Sequence, residues 1–208
     1  MSQYPLVCGD CFCVKPSPEN WCEAAARVIR PREVAHLIRR VPRHPPLWSA
    51  AENVAEYLRS AFRTGQLSYI PDPKECDLWC SPSTTFARGG GDCDDLAALA
   101  VSILHAMDVE AQLAVGVYCD GRTCSGHAWV EGRDQQGAFL LEATSGMVQR
   151  SRPDTYELQY LLHPDSCLDA RSEARKAQAQ QVAMRELLRS LQMRQQARYN
   201  AFATYGLR

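Results

Sequence analysis

The stretch Gly89-Gly90-Gly91-Asp92-Cys93-Asp94-Asp95-Leu96 places a thiol directly after three glycines, at the head of an apolar pattern. Leu96, Leu99, Ala100, Ile103, Leu104 and Met107 recur at helical spacing, which predicts a helix over residues 93–107 with Asp92 as its N-cap. Unsatisfied N–H groups give a helix N-terminus about half a positive charge. A thiolate there is stabilised, so the pKa of Cys93 is expected to fall, although Asp94 and Asp95 oppose this in part. The glycines let a substrate backbone come close. A free N–H at Cys93 can donate to an oxyanion.

A nucleophilic cysteine needs a base, and the base needs an orienting group. His127 opens the strand-like run His127-Ala128-Trp129-Val130-Glu131, and Leu140-Leu141-Glu142-Ala143-Thr144 follows one run later. On neighbouring antiparallel strands His127 and Glu142 can lie side by side, with β-carbons about 5 Å apart. The carboxylate would hold the imidazole tautomer and stabilise the imidazolium. Taken singly each residue is ordinary: a cysteine at a helix start is usually a small buried apolar group, and a strand histidine is usually packed or solvated. Taken together, they make a Cys93–His127–Glu142 catalytic triad the expected constellation. Asp134, on the turn expected between the two runs from the Gln136-Gly137 signal, is the weaker substitute for Glu142.

These motifs resemble the transglutaminase-like cysteine-enzyme superfamily: Gly-Asp-Cys at a helix start, His-Ala-Trp-Val-Glu on a strand, then an acidic residue before Ala-Thr-x-Gly. The resemblance covers roughly residues 68–147. It implies a papain-like α+β fold, with the nucleophile helix packed on an antiparallel sheet. It implies Cys93 as nucleophile, His127 as general base and acid, and Glu142 as orienting group where the family usually has aspartate. A second oxyanion donor upstream of the cysteine is also a family feature; Trp79 and Tyr69 are the candidates, with Asp92 beside the substrate. The implied chemistry is acyl transfer through a Cys93 thioester. Water as acceptor makes a cysteine protease or amidase acting on a peptide or protein substrate, the reading favoured here. An amine makes an amide- or isopeptide-forming transferase. The rival outside catalysis is a metal-binding structural or assembly protein. No cofactor is required for the acyl chemistry.

Ten cysteines are too many for an ordinary chain of 208 residues. Cys8, Cys11, Cys13 and Cys22 form a four-thiol cluster that could hold structural Zn or an Fe–S centre, form disulfides or stay free. Cys76 and Cys80, and Cys119 and Cys124, are further close pairs, and Cys167 stands alone. His36, His44, His105 and His163 are expected to be structural.

Helices are further predicted over residues 32–41, 48–64 and 154–162, and a long one over 168–200. Strands are predicted over 111–118, 127–131 and 138–143, and a loop over 66–91. The order is α+β. Three parts are expected: 1–44, a Cys-rich segment and basic helix; 45–164, the catalytic domain; and 165–208, a basic Ala/Gln/Arg-rich helix. Charge is segregated. Residues 27–44 carry six arginines against Glu33, whereas residues 45–164 carry 16 acidic and 8 basic side chains. No base-reading motif accompanies the basic arms, so they are expected to pack on the acidic middle rather than on nucleic acid. The C-terminal helix would dock on the domain, a partner or a second copy. No apolar run approaches the ~20 residues of a membrane span. MSQYPLVCGDCFC has neither a basic n-region nor an apolar h-region, so a cytoplasmic location is expected.

Overall fold

The apolar helix predicted after the glycines is the axis of the fold. A computed structural model describes residues 10–42 and 49–178, together with 180, 181, 184, 185, 188 and 189. In it helix α5 (Cys93–Ala106) is buried from Asp94 to Leu104, with Leu96, Leu99, Ile103 and Leu104 fully enclosed. It is apolar all round because it is covered on every side. The surrounding helices are α1 (Pro18–Val28), α2 (Pro31–Val34) running into a 3-10 turn (Ala35–Arg40), α3 (Ala50–Arg63) and α4 (Pro82–Ala87). Helix α3 opens on a reciprocal capping box, in which Ser49 accepts from the Glu52 N–H and Glu52 accepts from the Ser49 N–H.

The other layer is a six-stranded sheet in the order β10-β9-β5-β6-β7-β8, antiparallel throughout. Its strands are β5 (Glu110–Cys119), β6 (Cys124–Asp134), β7 (Gly137–Glu142), β8 (Met147–Gln149), β9 (Tyr156–His163) and β10 (Ser166–Asp169). Alternation sends Leu113, Ala128, Val130, Leu141 and Leu162 into the cluster around α5. Ala114, Trp129, Leu140 and Tyr156 form a smaller cluster of their own. Two short pairings flank the glycine loop. Strand β1 (Cys11–Val14) runs antiparallel to β3 (Asp77–Cys80), and β2 (Ser68–Tyr69) runs parallel to β4 (Gly90–Gly91). The α+β architecture is the one expected.

Three expectations change, and one helix adds to them. Residues 154–162 are not a helix but largely strand β9, which pairs along β5 with a register shift: Tyr156 packs in the smaller cluster, Tyr160 and Leu162 in the cluster around α5, and Gln159 lines a cleft at the start of α5. The expected loop 66–91 contains β2, β3, α4 and β4. The N-terminal residues hold α1, capped by Ser17, whose side chain accepts from the Asn20 N–H. The N-terminal cysteines do not share one metal: Cys11 is bonded to Cys80, Cys13 to Cys76 and Cys22 to Cys167, so their sulfurs are unavailable as thiolate ligands. Cys8 lies outside the described residues, and Cys119 is bonded to Cys124 across the β5–β6 turn. In the basic segment, Arg30 pairs with Asp10 and Glu33, and Arg27 lies over the Phe12 ring.

Residues 170–208 form a second unit. Residues 170–178 are helical, with Lys176 paired to Glu173 at 2.8 Å and Met184 and Leu188 exposed. Leu168 and Asp169, the predicted start of that helix, belong instead to β10; residues 180, 181, 184, 185, 188 and 189 are also helical, and the other residues of the predicted helix lie outside the described ones. Among the described residues no helix is long and apolar enough to cross a membrane.

One glycine has a packing role that bears on the site. Gly116 pairs with His127 across β5 and β6 and sits where the β5–β9 ladder shifts register, and a Cβ there would meet the Glu157 carbonyl and come within 2.8 Å of Trp129 Cη2. Gly116→Ala is expected to destabilise the chain by about 1–3 kcal/mol, read as a lowered denaturant midpoint.

Candidate active site

The N-terminus of α5 and the start of β6 meet in a cleft of about 390 Å³ lined by Cys93 and His127. Strand β6 brings His127 there, and β7 brings Glu142. The ladder pairs Val130 with Leu141, which sets Glu142 level with Trp129 and diagonal to His127 rather than directly beside it. Glutamate has the reach for that diagonal: His127 Nε2 lies 2.7 Å from Glu142 Oε2. A carboxylate can only accept, so Nε2 carries the hydrogen and Nδ1 is left with the lone pair. Glu142 is 5% exposed and takes three more hydrogen bonds, from Tyr156 Oη (3.1 Å), Thr144 Oγ1 (2.7 Å) and the Thr144 N–H (3.1 Å). Burial opposes its ionisation, but the hydrogen bonds from His127 and Thr144 outweigh burial and hold the carboxyl below its ordinary range. Tyr118, Trp129 and Tyr156 surround the imidazole, with ring centroids 5.7–6.2 Å away.

Among the described residues Cys93 is the one cysteine outside a disulfide. Its thiol is not lowered as the helix terminus alone predicts. Burial pushes it up, the charges of Asp94 and Asp92 add to that, and a hydrogen bond from the Ala128 N–H offsets only part. Asp92 stands at the N-cap position, yet its side chain makes no capping hydrogen bond.

Around the thiol lies a group of reluctant acids. Burial raises Asp72 to about 6 and Asp95 to about 7, and it raises Asp77, Asp92 and above all Asp94. Asp95 Oδ1 accepts from the Cys80 N–H at 2.7 Å, whereas Asp95 Oδ2, Asp94 Oδ1 and Asp92 Oδ1 are buried with no hydrogen-bond partner. Asp72, Asp77 and Asp94 bring ligand atoms within 4.8 Å of one another, as do Asp92, Cys93 and Asp94. An unfolded aspartate titrates near 3.9. With folded values raised, the folded chain holds the extra protons, so stability falls as pH rises from about 4 through 7. In chelator, the unfolding midpoint is expected to drop between pH 5 and pH 8. Asp95→Asn, which can still accept from Cys80, is expected to flatten that drop.

Of the oxyanion candidates, Trp79 and Asp92 line the cleft, but the single indole N–H of Trp79 is engaged by Asp77 Oδ1 at 3.0 Å. Tyr69 pairs with Gly91 and is 54% exposed. Burial and the charge of the nearby Cys93 push its hydroxyl up to about 12. Asp134 is elsewhere: it holds Arg150 and accepts from the Ala51 N–H at the start of α3. His105 is bonded to the Ala111 carbonyl. Sequence reasoning missed Tyr156, and also Pro16 and Trp21, which reach the cleft from the N-terminal segment. For Tyr156 a signal existed, the alternation of β9.

Among solved structures, calcium-bound LapG of Legionella pneumophila aligns at 18% identity and a TM-score of 0.50, over 76% of this chain and 82% of that one. EGTA-treated LapG gives 19% and 0.50, over 77% and 89%. A candidate cysteine protease from Cytophaga hutchinsonii gives 15% and 0.45 over 69% of this chain, which spans 43% of that protein. These likenesses are of fold. No curated protein matches the sequence. The transglutaminase-like superfamily matches residues 35–141, just over half of the chain. That span holds α5, β5, β6 and nearly all of β7, and with it Cys93 and His127, so the chain belongs to the transglutaminase-like superfamily.

Proposed function

We propose that the chain is a thiol hydrolase of peptide or carboxamide bonds, with Cys93 as nucleophile, His127 as base and acid, and Glu142 as the group that orients the histidine. The observation that carries this reading is that the free thiol shares its cleft with a histidine whose far nitrogen is fixed by a buried, fully hydrogen-bonded carboxylate. The thiol rests protonated, so its proton passes to His127 Nδ1 as the sulfur attacks the carbonyl carbon. The oxyanion accepts from the Cys93 N–H. His127 then gives the proton to the leaving amine, the C–N bond breaks and a thioester remains. Water, deprotonated by His127, releases the acid and restores the thiol.

We infer in addition that the aspartates beside Cys93 hold a divalent cation, calcium being the one named for the solved relative. The donor set fits: Asp72, Asp77 and Asp94 offer carboxylate oxygens close together, and Asp94 Oδ1 is buried without a hydrogen-bond partner. Such an ion supplies charge neutralisation to carboxylates that burial otherwise leaves poorly ionised. Calcium added to chelator-treated protein is expected to raise the unfolding midpoint by a few degrees; an unchanged midpoint at millimolar calcium would refute the site. The disulfides suit an oxidising compartment rather than the cytoplasm first expected.

The test of the reaction is product analysis by mass spectrometry, with glutamine-containing peptides, with and without a primary amine. Cleaved or deamidated peptides in both samples are expected. Amine adducts as the main product would make the chain a transferase, and no turnover of any peptide or carboxamide would remove the enzyme reading.

A further inference from the structure

The cleft has a wall that the superfamily match does not include. Pro16 and Trp21 lie before residue 35, where the match begins, yet both line the cleft that holds Cys93 and His127. With Trp79, Val115 and Val117 they make an apolar lining beside the thiol. The wall is fixed in place covalently. Cys13, three residues before Pro16, is bonded to Cys76; Cys22, directly after Trp21, is bonded to Cys167; and Phe12 pairs with Trp79 across β1 and β3. Trp21 is also packed on Tyr160, ring centroids 5.4 Å apart. An indole held at both its backbone and its ring loses little freedom when a ligand packs on it, which is what a selective apolar pocket needs.

We propose that Trp21 and Pro16 determine substrate selection, by receiving an aromatic or large aliphatic side chain of the peptide next to the bond that is cut. This rests on the thiol-hydrolase reading above and adds the substrate class to it. Trp21 and Pro16 bind and select; they take no part in proton transfer.

The test uses the full chain with its disulfides intact and reads the rate of Cys93 modification by intact mass. The probes are dipeptidyl fluoromethyl ketones carrying Phe, Leu, Lys or Gly at each of the two positions before the electrophilic carbon, with iodoacetamide as a small control. At one position, the unaltered chain is expected to prefer Phe or Leu over Gly by about tenfold or more, the scale of burying one such side chain. With each ketone rate divided by the same variant's own iodoacetamide rate, Trp21→Ala is expected to bring the ratio within about threefold of unity. Pro16 is exposed, so Pro16→Asp keeps the fold even if Trp21→Ala does not; it is expected to reject Phe and accept Lys in its place. A parent chain with no apolar preference, or a preference that survives in the folded Trp21→Ala or Pro16→Asp chain, overturns the proposal and leaves the nucleophile reading intact. A Cys93 inert to iodoacetamide and to every ketone overturns both.

Discussion

An otherwise intact chain carrying Glu142→Gln is expected to keep its fold and lose about 10,000-fold in kcat, the scale seen when a triad carboxylate becomes an amide. The reason lies in the four donors that converge on Glu142. A glutamine presents one accepting end and one donating end. The backbone N–H of Thr144 cannot reverse its polarity, so the amide oxygen must face Thr144. The NH2 then faces His127 and demands a lone pair on Nε2. The hydrogen moves to Nδ1, the nitrogen that must take the thiol proton, and the base is lost. Circular dichroism and the unfolding midpoint check the fold, and peptide turnover checks the rate. Full activity in Glu142→Gln would mean that the tautomer is not what the carboxylate controls. Tyr156→Phe removes one donor to the same oxygen without reversing any, so a loss of about tenfold or less is expected.

Cys93→Ala is expected to have the larger effect, about a millionfold in kcat where the nucleophile acts as part of a unit. The wall, the cleft and the His127–Glu142 pair remain, so peptide binding should survive within a few-fold. That split, turnover gone and binding kept, is the signature of a nucleophile rather than of a packing residue. The methyl of alanine fills part of the thiol's space, and Cys93 carries no structural disulfide, so stability should change little. Retained turnover would place the chemistry elsewhere in the molecule.

Much of this site was legible in the sequence because its parts are local. Helix α5 announces itself by a 3.6-residue period, and the glycines before it mark where Cys93 must emerge. His127 and Glu142 sit on consecutive strands, where a short hairpin leaves little choice of neighbour. What was not legible depends on distant chain. Tyr156 and Tyr160 are four apart, the spacing of one helix face, while Tyr156, Leu158, Tyr160 and Leu162 also alternate; only the vacant edge of β5 decides for a strand. The partners of Cys11, Cys13 and Cys22 lie 63 to 145 residues away, beyond any local rule. The thiol's acidity failed for the same reason. A helix terminus is visible in a sequence, but the burial that outweighs it is made by β6 and the acids folded around it.

The bond between Cys22 and Cys167 also orders events in time. Synthesis delivers Trp21 and Cys22 first, yet their anchor, Cys167 on β10, follows 145 residues after Cys22. Until then the segment is held by β1, by its own two bonds and by Ala24, Ala25 and Val28 of α1 in the core around α5. Eight thiols can join in 105 ways, and an unpaired Cys93 is present throughout as an exchange partner. Fixing the cleft's outer wall therefore depends on the oxidant that meets the chain as well as on packing.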